Sequence, residues 1–300
     1  MLFFNTMPMK TLLLDAGGTF IKCSDGREIP IRSDGSREEI SSSFAEAVGA
    51  FCNEDSCVND AKTACGKGQR NCEIAVAIPG PFDYERGIFL MKHKFSSVYG
   101  MSFREVADVP SCARLLFTHD VNVMLAGEMF CGNGRGYSRV ALVALGTGLG
   151  FAMSIDGHIL KKATGSPLVS IFGLPYRDGI LEDYASKRGF LGTFQALGGQ
   201  GATTVKDIAE FASGGDKAAL ETFRSIGSTI ARTISPILKE YGIECLLFGG
   251  QISRSFRFLE PALREGLSGV ESLVDISQVS DFDNATFNGL RAMLRQEEEA

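Results

Sequence analysis

The sequence contains no tryptophan, only three histidines and no long hydrophobic run, and these absences narrow its possible functions. A membrane-spanning helix needs about 20 apolar residues in succession, whereas the apolar stretches here are only as long as a strand. The 30 Lys and Arg residues and 36 Asp and Glu residues give a formal charge of −6, so no general basic field attracts nucleic acid or an anionic membrane. The first ten residues lack the basic start of a signal peptide. We therefore expect a cytoplasmic protein that binds neither nucleic acid nor membrane.

Closely spaced cysteine pairs are also missing, although the chain has eight cysteines. Four of them are clustered at gaps of five, eight and seven residues, namely Cys52, Cys57, Cys65 and Cys72. A structural zinc site is typically built from Cys pairs separated by roughly two to four residues. We therefore expect free thiols and no structural zinc, and the role of the cluster stays open.

Three glycine-rich turns, each preceded by an apolar run typical of a strand, are the most informative feature present. In chain order they are Leu12-Leu13-Leu14-Asp15-Ala16-Gly17-Gly18-Thr19, Val143-Ala144-Leu145-Gly146-Thr147-Gly148-Leu149-Gly150 and Cys245-Leu246-Leu247-Phe248-Gly249-Gly250. Paired glycines let backbone N–H groups approach an anion without a Cβ in the way. One such turn is typical of an ordinary hairpin. Three of them, two with a Thr beside Gly, indicate a nucleotide held from several sides.

Strand and helix patterns alternate along the chain, which predicts an α/β fold with a central, largely covered sheet. Strand–turn–strand hairpins are expected at the first two glycine turns, about 130 residues apart, so the organisation looks duplicated. A hairpin pairs its strands antiparallel, whereas the dinucleotide-binding fold is parallel and its glycine-rich turn opens a helix. The sequence therefore disfavours the dinucleotide-binding fold.

The segment His119-Asp120-Val121-Asn122 lies where a strand pattern ends and a helix pattern begins. Asp commonly caps a helix, so Asp120 is interpreted either as an N-cap or as a catalytic base. Beside phosphate-holding turns, a carboxylate can accept the proton of an alcohol that attacks a γ-phosphorus. Positioning and charge stabilisation supply most of the catalysis in such a transfer.

In this order the motifs resemble those of the ROK sugar kinases and repressors, within the actin-like ATPase-domain sugar kinases, over almost the whole chain. The matching segments are Asp15-Ala16-Gly17-Gly18-Thr19, Ala77-Ile78-Pro79-Gly80-Pro81-Phe82-Asp83, His119-Asp120-Val121-Asn122 with Gly127-Glu128, Leu145-Gly146-Thr147-Gly148-Leu149-Gly150, and Phe248-Gly249-Gly250-Gln251-Ile252-Ser253. The resemblance implies two RNase H-like α/β lobes, residues 1–118 plus 284–300 and residues 119–283, with a cleft between them for a sugar and ATP. It also implies Mg²⁺ on the phosphates and a homo-oligomer, a dimer.

The resemblance further implies a role for individual residues. Asp120 matches the general base, and Asp15 matches the acidic residue near Mg²⁺, acting through water. The groups expected to bind the phosphates are the backbones of Gly17, Gly18, Gly146 and Gly148 and the hydroxyls of Thr19 and Thr147. The residues expected beside the nucleoside are Gly249 and Gly250. The residues expected to line the sugar site are Gly80, His119 and Glu182.

The chain departs from the family pattern around the sugar and the zinc. Val169 and Phe172 stand where the family has the Glu and His of a Glu-x-Gly-His unit, and residues 173–180 contain no cysteine of its zinc loop. Met91-Lys92-His93-Lys94-Phe95 replaces the family's Asn-Leu-Pro…Trp segment. Sugar hydroxyls are discriminated by paired polar partners, so we expect a changed substrate or weaker sugar binding.

The preferred interpretation is an ATP-dependent sugar kinase, acting on a hexose or an amino sugar, and two other functions stay open. A repressor of the same family would need a helix-turn-helix module, and we expect none because the first strand pattern begins near Lys10. A non-catalytic sugar- or nucleotide-binding relative is the other alternative. Retention of Asp120 argues against it, although a helix cap would retain Asp as well.

Overall fold

The computed structural model of the chain describes residues 10–52 and 72–299. The chain divides into two compact units. The first contains Met1–Val123, Lys162–Ser166 and Leu290–Ala300, and the second contains Met124–Lys161 and Pro167–Gly289. The lobe boundaries expected from the sequence remain a prediction. Across the described ranges, every helix is too short or too polar to cross a membrane.

The first unit is built on a five-stranded mixed sheet. The strands of this unit are β1 (Lys10–Ala16), β2 (Phe20–Cys23), β3 (Glu28–Pro30), β4 (Cys72–Ile78), β5 (Phe82–Asp83), β6 (Ile88–Phe89) and β7 (Arg114–His119). The sheet order is β3-β2-β1-β4-β7, and β5 pairs with β6 in a separate small hairpin. β2 lies antiparallel to β1 and β3, whereas β1, β4 and β7 are parallel. All seven residues of β4 are buried, and its apolar run over residues 74–78 is typical of a central strand.

Helices α1 (Arg37–Cys52) and α2 (Phe103–Val106) and the start of α3 (Asp120–Cys131) belong to this unit. α2 begins with a capping box in which Ser102 and Glu105 exchange side-chain and backbone hydrogen bonds. Buried phenylalanines fill the space beside the sheet. The Phe44 ring centroid lies 5.9, 5.8 and 5.1 Å from those of Phe89, Phe95 and Phe103.

The second unit repeats the same sheet. Its strands are β8 (Arg139–Leu145), β9 (Leu149–Ile155), β10 (His158–Ile159), β11 (Pro175–Tyr176), β12 (Gly179–Ile180), β13 (Cys245–Gly249) and β14 (Asp275–Gln278). The order β10-β9-β8-β13-β14 matches that of the first unit strand for strand, with β8 and β9 as the antiparallel hairpin. The predicted duplication and the α/β class are thereby confirmed, as expected for two RNase H-like lobes.

The helices of the second unit cover its sheet. They are α4 (Leu181–Ala185), α5 (Lys187–Ala196), α6 (Val205–Ser213), α7 (Lys217–Tyr241), α8 (Phe256–Leu267) and α9 (Ala285–Glu299), the last of which continues into the first unit. α7 and α8 pack closely because Gly227 and Gly266 carry no side chain. A Cβ on Gly227 would lie 3.0 Å from Leu259 O, and a Cβ on Gly266 would lie 2.7 Å from Ala231 Cβ.

Candidate active site

Asp120 lies at the junction between β7 and α3, immediately after the last strand residue, His119. His119 Nδ1 is 2.8 Å from Asp120 Oδ1, and the side chains are 17% and 42% exposed, respectively. The Val121 N–H also donates to Asp120 Oδ1, at 2.7 Å. An N-cap side chain ordinarily accepts from an N–H two or three residues further along the chain. The contacts of Asp120 therefore differ from those of an N-cap, and its role as a base stays a prediction.

The electrostatic surroundings keep the Asp120 carboxyl ionised. Burial raises its pKa, but the charge and hydrogen bond of His119, the N–H of Val121 and the charge of Lys94 outweigh burial, so the net pKa is lowered. A carboxylate with a lowered pKa remains a proton acceptor across the neutral range. Partial exposure leaves it accessible to a small molecule.

Gly80 and Tyr84 pack against the imidazole of His119. A Cβ on Gly80 would lie 3.2 Å from the Tyr84 hydroxyl and 3.4 Å from His119 Cδ2, so glycine allows the close approach. The Tyr84 hydroxyl donates to Ile78 O at 3.1 Å. Burial and the charge of Asp120 raise the pKa of Tyr84, which keeps it a neutral donor. The structure thus brings together the predicted residues Gly80, His119 and Asp120.

Asn122 and Tyr84 are site residues that the sequence reasoning missed. Asn122 is 4% exposed, and its Nδ2 donates to Gly165 O at 3.1 Å. Its Oδ1 is buried and has no hydrogen-bond partner within the ranges 10–52 and 72–299. A buried polar atom of this kind usually has a partner, because leaving it unpaired costs free energy. The only sequence signal for Asn122 is its place in the motif two residues after Asp120.

The first glycine turn joins β1 to β2. The Gly17 N–H donates to Phe20 O at 3.0 Å, and Gly18 O accepts from the Ser33 N–H at 3.2 Å. Gly17 therefore allows the hairpin to close tightly, and its own N–H is used within the turn. Asp15 is half-buried near the end of β1, and Thr19 is exposed.

The second glycine turn joins β8 to β9 and is connected to the helices that follow. The Gly146 N–H donates to Gly148 O at 3.0 Å, and Gly146 O accepts from the Lys187 N–H at 2.9 Å. Glu182 Oε2 accepts from the Leu149 N–H at 3.0 Å. A Cβ on Gly148 would lie 2.9 Å from that oxygen. Glu182, predicted to contact a sugar, thus holds the glycine turn in this structure.

The third glycine turn lies beside the second. Gly250 has φ of +80°, and a Cβ there would lie 2.3 Å from Leu145 O, the residue that precedes Gly146. Glycine is required at position 250 for both reasons. Gly249 ends β13, and a Cβ there would lie 2.5 Å from Met124 Sδ. Thr147, between the glycines of the second turn, is exposed.

The donor set suits Mg²⁺ held mainly by a nucleotide. In the part of the chain that the structure describes, no group of three or more His, Cys, Asp or Glu side chains could hold a metal ion. Mg²⁺ in phosphoryl-transfer sites usually takes one or two carboxylates, phosphate oxygens and water. Asp15, next to the first glycine turn, offers such a carboxylate. Cys57 and Cys65 of the cysteine cluster lie outside the described residues.

A small aromatic hairpin, β11–β12, occupies the segment that lacks zinc-loop cysteines. The rings of Tyr176 and Tyr184 are 5.0 Å apart, and the Arg177 guanidinium lies 5.4 and 5.3 Å from their centroids. The Tyr176 hydroxyl is 2.9 Å from Thr229 Oγ1 on α7. Ring contacts and this hydrogen bond hold the hairpin on the second unit. Nearby, Phe172 is 48% exposed.

The sequence matches a family model and is similar to known proteins. The ROK family model matches residues 33–167 and 175–291. The glucokinase of Thermotoga maritima is 24% identical over 220 residues, covering 66% of this chain and 69% of that protein. The DNA-binding transcriptional repressor Mlc of Escherichia coli is 25% identical over 219 residues, covering 67% of this chain and 54% of the repressor.

The fold is also similar to that of solved structures. A ROK family glucokinase from Streptomyces griseus, in complex with glucose and AMPPNP, superposes with a TM-score of 0.72 at 20% identity. The superposition covers 95% of this chain and 99% of that one. At this identity the similarity establishes that the two chains share a fold.

Proposed function

The chain belongs to the ROK family, and from this membership we propose that it transfers a phosphoryl group from ATP to a hydroxyl of a monosaccharide, a hexose or an amino sugar. The observation that carries the proposal is the state of Asp120. This carboxylate is ionised, partly exposed and held by His119 at the motif position where the family has its general base.

In the proposed reaction the sugar hydroxyl oxygen attacks the γ-phosphorus, and its proton passes to Asp120. A bond forms between the sugar oxygen and the phosphorus while the bond from phosphorus to the β–γ bridging oxygen breaks. ADP leaves with that electron pair. Asp15 would hold Mg²⁺ through water, and the metal would neutralise phosphate charge.

The glycine turns would hold the nucleotide in this reaction. Thr19 and Thr147 are exposed hydroxyls beside glycines, which supports contacts to phosphate oxygens. Gly249 and Gly250, adjacent to the second turn, would lie beside the nucleoside. The complex of the Streptomyces griseus glucokinase with AMPPNP and glucose supports ATP and a sugar as ligands. A cytoplasmic location, expected from the composition, and a homodimer, implied by the resemblance, belong to the same proposal and are tested by fractionation and light scattering.

The test compares the protein with its Asp120→Asn and Asp156→Asn variants in an ADP-release assay over a panel of hexoses and amino sugars. Asp120→Asn should lose about 100-fold or more in kcat while AMPPNP binding is retained, because general-base catalysis is removed. Asp156 lies in an exposed turn with φ of +49°, which Asn tolerates, so its variant should keep full activity. Equal activity of both variants would contradict the proposed role of Asp120.

A non-catalytic sugar- or nucleotide-binding relative is the second candidate. The similarity to Mlc and the replacement of two polar sugar-recognition residues by Val169 and Phe172 favour it. It predicts a rise in melting temperature with a sugar or AMPPNP but no ADP release with any sugar of the panel. Sugar-dependent ADP release that Asp120→Asn abolishes would exclude it.

A further inference from the structure

Lys94 lies in the segment where the chain departs from its family, and the backbone there is held firmly. The next residue, Phe95, is fully buried, with its ring centroid 5.8 and 5.7 Å from those of Phe44 and Phe89. Phe95 has φ of +53°, in the left-handed region, and its N–H donates to Ser33 O at 2.5 Å. Burial of Phe95 and this hydrogen bond therefore set the direction of the adjacent Lys94 side chain.

The Lys94 side chain passes over the first glycine turn. A Cβ on Gly18 would lie 3.8 and 3.9 Å from Lys94 Cε and Cδ, and 3.3 Å from Ser33 Oγ. Ser33 also donates its N–H to Gly18 O at 3.2 Å, so one residue links the Lys94 segment to the turn. The end of the lysine side chain is thereby kept beside backbone that is predicted to bind phosphate.

The Lys94 ammonium also influences the candidate base. Its charge is one of the causes of the lowered pKa of Asp120. Among residues 10–52 and 72–299, Lys94 forms no salt bridge with a carboxylate. Lys94 is half-buried, and the last carbons of its side chain, Cδ and Cε, lie beside the turn.

From these contacts we infer that Lys94 is a further catalytic residue of the proposed transfer, whose ammonium binds the phosphoryl group as it moves between nucleotide and sugar. The inference rests on the proposed function. Lys94 stays protonated throughout and donates a hydrogen bond to a non-bridging phosphoryl oxygen, so it neither gains nor loses a proton. A charge-assisted donor at this position stabilises the negative charge that the transition state spreads over those oxygens.

The experiment compares Lys94→Met and Lys94→Arg with Lys92→Met. Lys92 is a matched control because it belongs to the same segment, is exposed and lies 5.5 Å from the Tyr99 ring centroid. Lys94→Met should lower kcat roughly 10- to 100-fold with little change in the sugar KM. It should weaken AMPPNP binding by a similar factor but ADP binding far less, because only AMPPNP has a terminal γ-phosphoryl group. Lys94→Arg should retain part of the kcat and part of the AMPPNP affinity. Lys92→Met should match the unmodified protein in both quantities.

The pH profile of kcat gives an independent readout. Removing the Lys94 charge removes one cause of the lowered pKa of Asp120, so the acid limb should move to higher pH in Lys94→Met. A structural role of Lys94 alone would not move that limb. Circular dichroism checks that each variant is folded. If Lys94→Met is not folded, the AMPPNP affinity and kcat of Lys94→Arg decide whether Lys94 binds the phosphoryl group.

The outcomes separate this inference from the proposed function. Unchanged AMPPNP affinity in Lys94→Met would overturn the inference even if the enzyme phosphorylates sugars, and a raised sugar KM alone would assign Lys94 to the sugar instead. If no sugar is phosphorylated but Lys94→Met still loses AMPPNP affinity selectively, the proposed function fails while the phosphoryl contact stands. Absence of AMPPNP binding to the unmodified protein would overturn both.

Discussion

A double-mutant cycle at Gly148 and Glu182 tests whether the Glu182 carboxylate holds the second glycine turn. Gly148 does not have a positive φ, so alanine there adds no backbone strain. Its Cβ would lie 2.9 Å from Glu182 Oε2, and the flexible carboxylate can move away. Moving it breaks the hydrogen bond from the Leu149 N–H, which is 3.0 Å long. The expected cost of Gly148→Ala is therefore that of a lost charge-assisted hydrogen bond.

The magnitude follows from the groups involved. A partly buried donor left without its charged acceptor costs about 1–3 kcal/mol. Arg188, 3.5 Å from Glu182 Oε1, is an exposed partner and should contribute under about 1 kcal/mol. In a Glu182→Ala background the hydrogen bond is already absent, so Gly148→Ala should cost almost nothing. We therefore expect a coupling free energy of about 1–3 kcal/mol between the two substitutions.

The assay is urea unfolding of the four proteins of the cycle, together with amide hydrogen exchange at Leu149. Exchange there should accelerate in both single variants, with no further acceleration in the double variant. Gly146→Ala is the matched control, because the nearest atom to its Cβ would be 4.0 Å away. Additivity of the two substitutions within about 0.5 kcal/mol would refute the reasoning.

Three further predictions concern packing, pH and the aromatic hairpin. Gly127→Ala should lower the free energy of unfolding in urea by about 3 kcal/mol or more, because its Cβ would lie 2.2 Å from the backbone of α9. Gly192 lies on an exposed helix face with nothing within 4 Å of its Cβ position. Gly192→Ala should therefore raise the free energy of unfolding by about 0.5–1 kcal/mol. Backbone N–H groups of two preceding threonines lower the pKa of Asp207 to about 2, so its contribution to stability is present above pH 3.8 and is lost as the pH falls towards 2. Asp207→Asn should abolish this part of the acid dependence, measured as melting temperature between pH 5 and pH 2, and an unchanged acid dependence would contradict it. Tyr176→Phe should lower the free energy of unfolding by about 0.5–1.5 kcal/mol, because it removes the hydrogen bond to Thr229. A metal chelator should leave the melting temperatures of Tyr176→Phe and of the unmodified protein unchanged.

The central strands of both sheets were predictable from the sequence because their signal is local. Each of β1, β4, β8 and β13 contains an uninterrupted apolar run, and glycine turns mark where β1 and β8 reverse direction. α7 also carries a local signal, since its apolar positions repeat at helical spacing and Asp216 caps its start. The predicted strands before the glycine turns are confirmed, because a strand buried in a sheet leaves an apolar run that no tertiary contact needs to supply.

The edge strands β3 and β14 and the helices α4, α5 and α6 were not anticipated. β3 is a three-residue strand with one buried side chain, too short for an alternating pattern. Such strands form because a neighbouring strand offers backbone donors and acceptors, which is a property of the assembled sheet. The short helices depend likewise on contacts with α7 for their burial, so the sequence alone carried little sign of them.

For the candidate site, the sequence by itself determined the pair His119 and Asp120 and the three glycine turns, because adjacency and the lack of a Cβ are local properties. Only the tertiary structure decided that the Glu182 carboxylate accepts a hydrogen bond from the N–H of Leu149, which is 33 residues away in the chain. It also decided that Lys94 passes over Gly18, since a buried ring and a left-handed backbone direct that side chain. Contacts between distant residues are selected by the packing of whole elements, and no spacing within the chain encodes them.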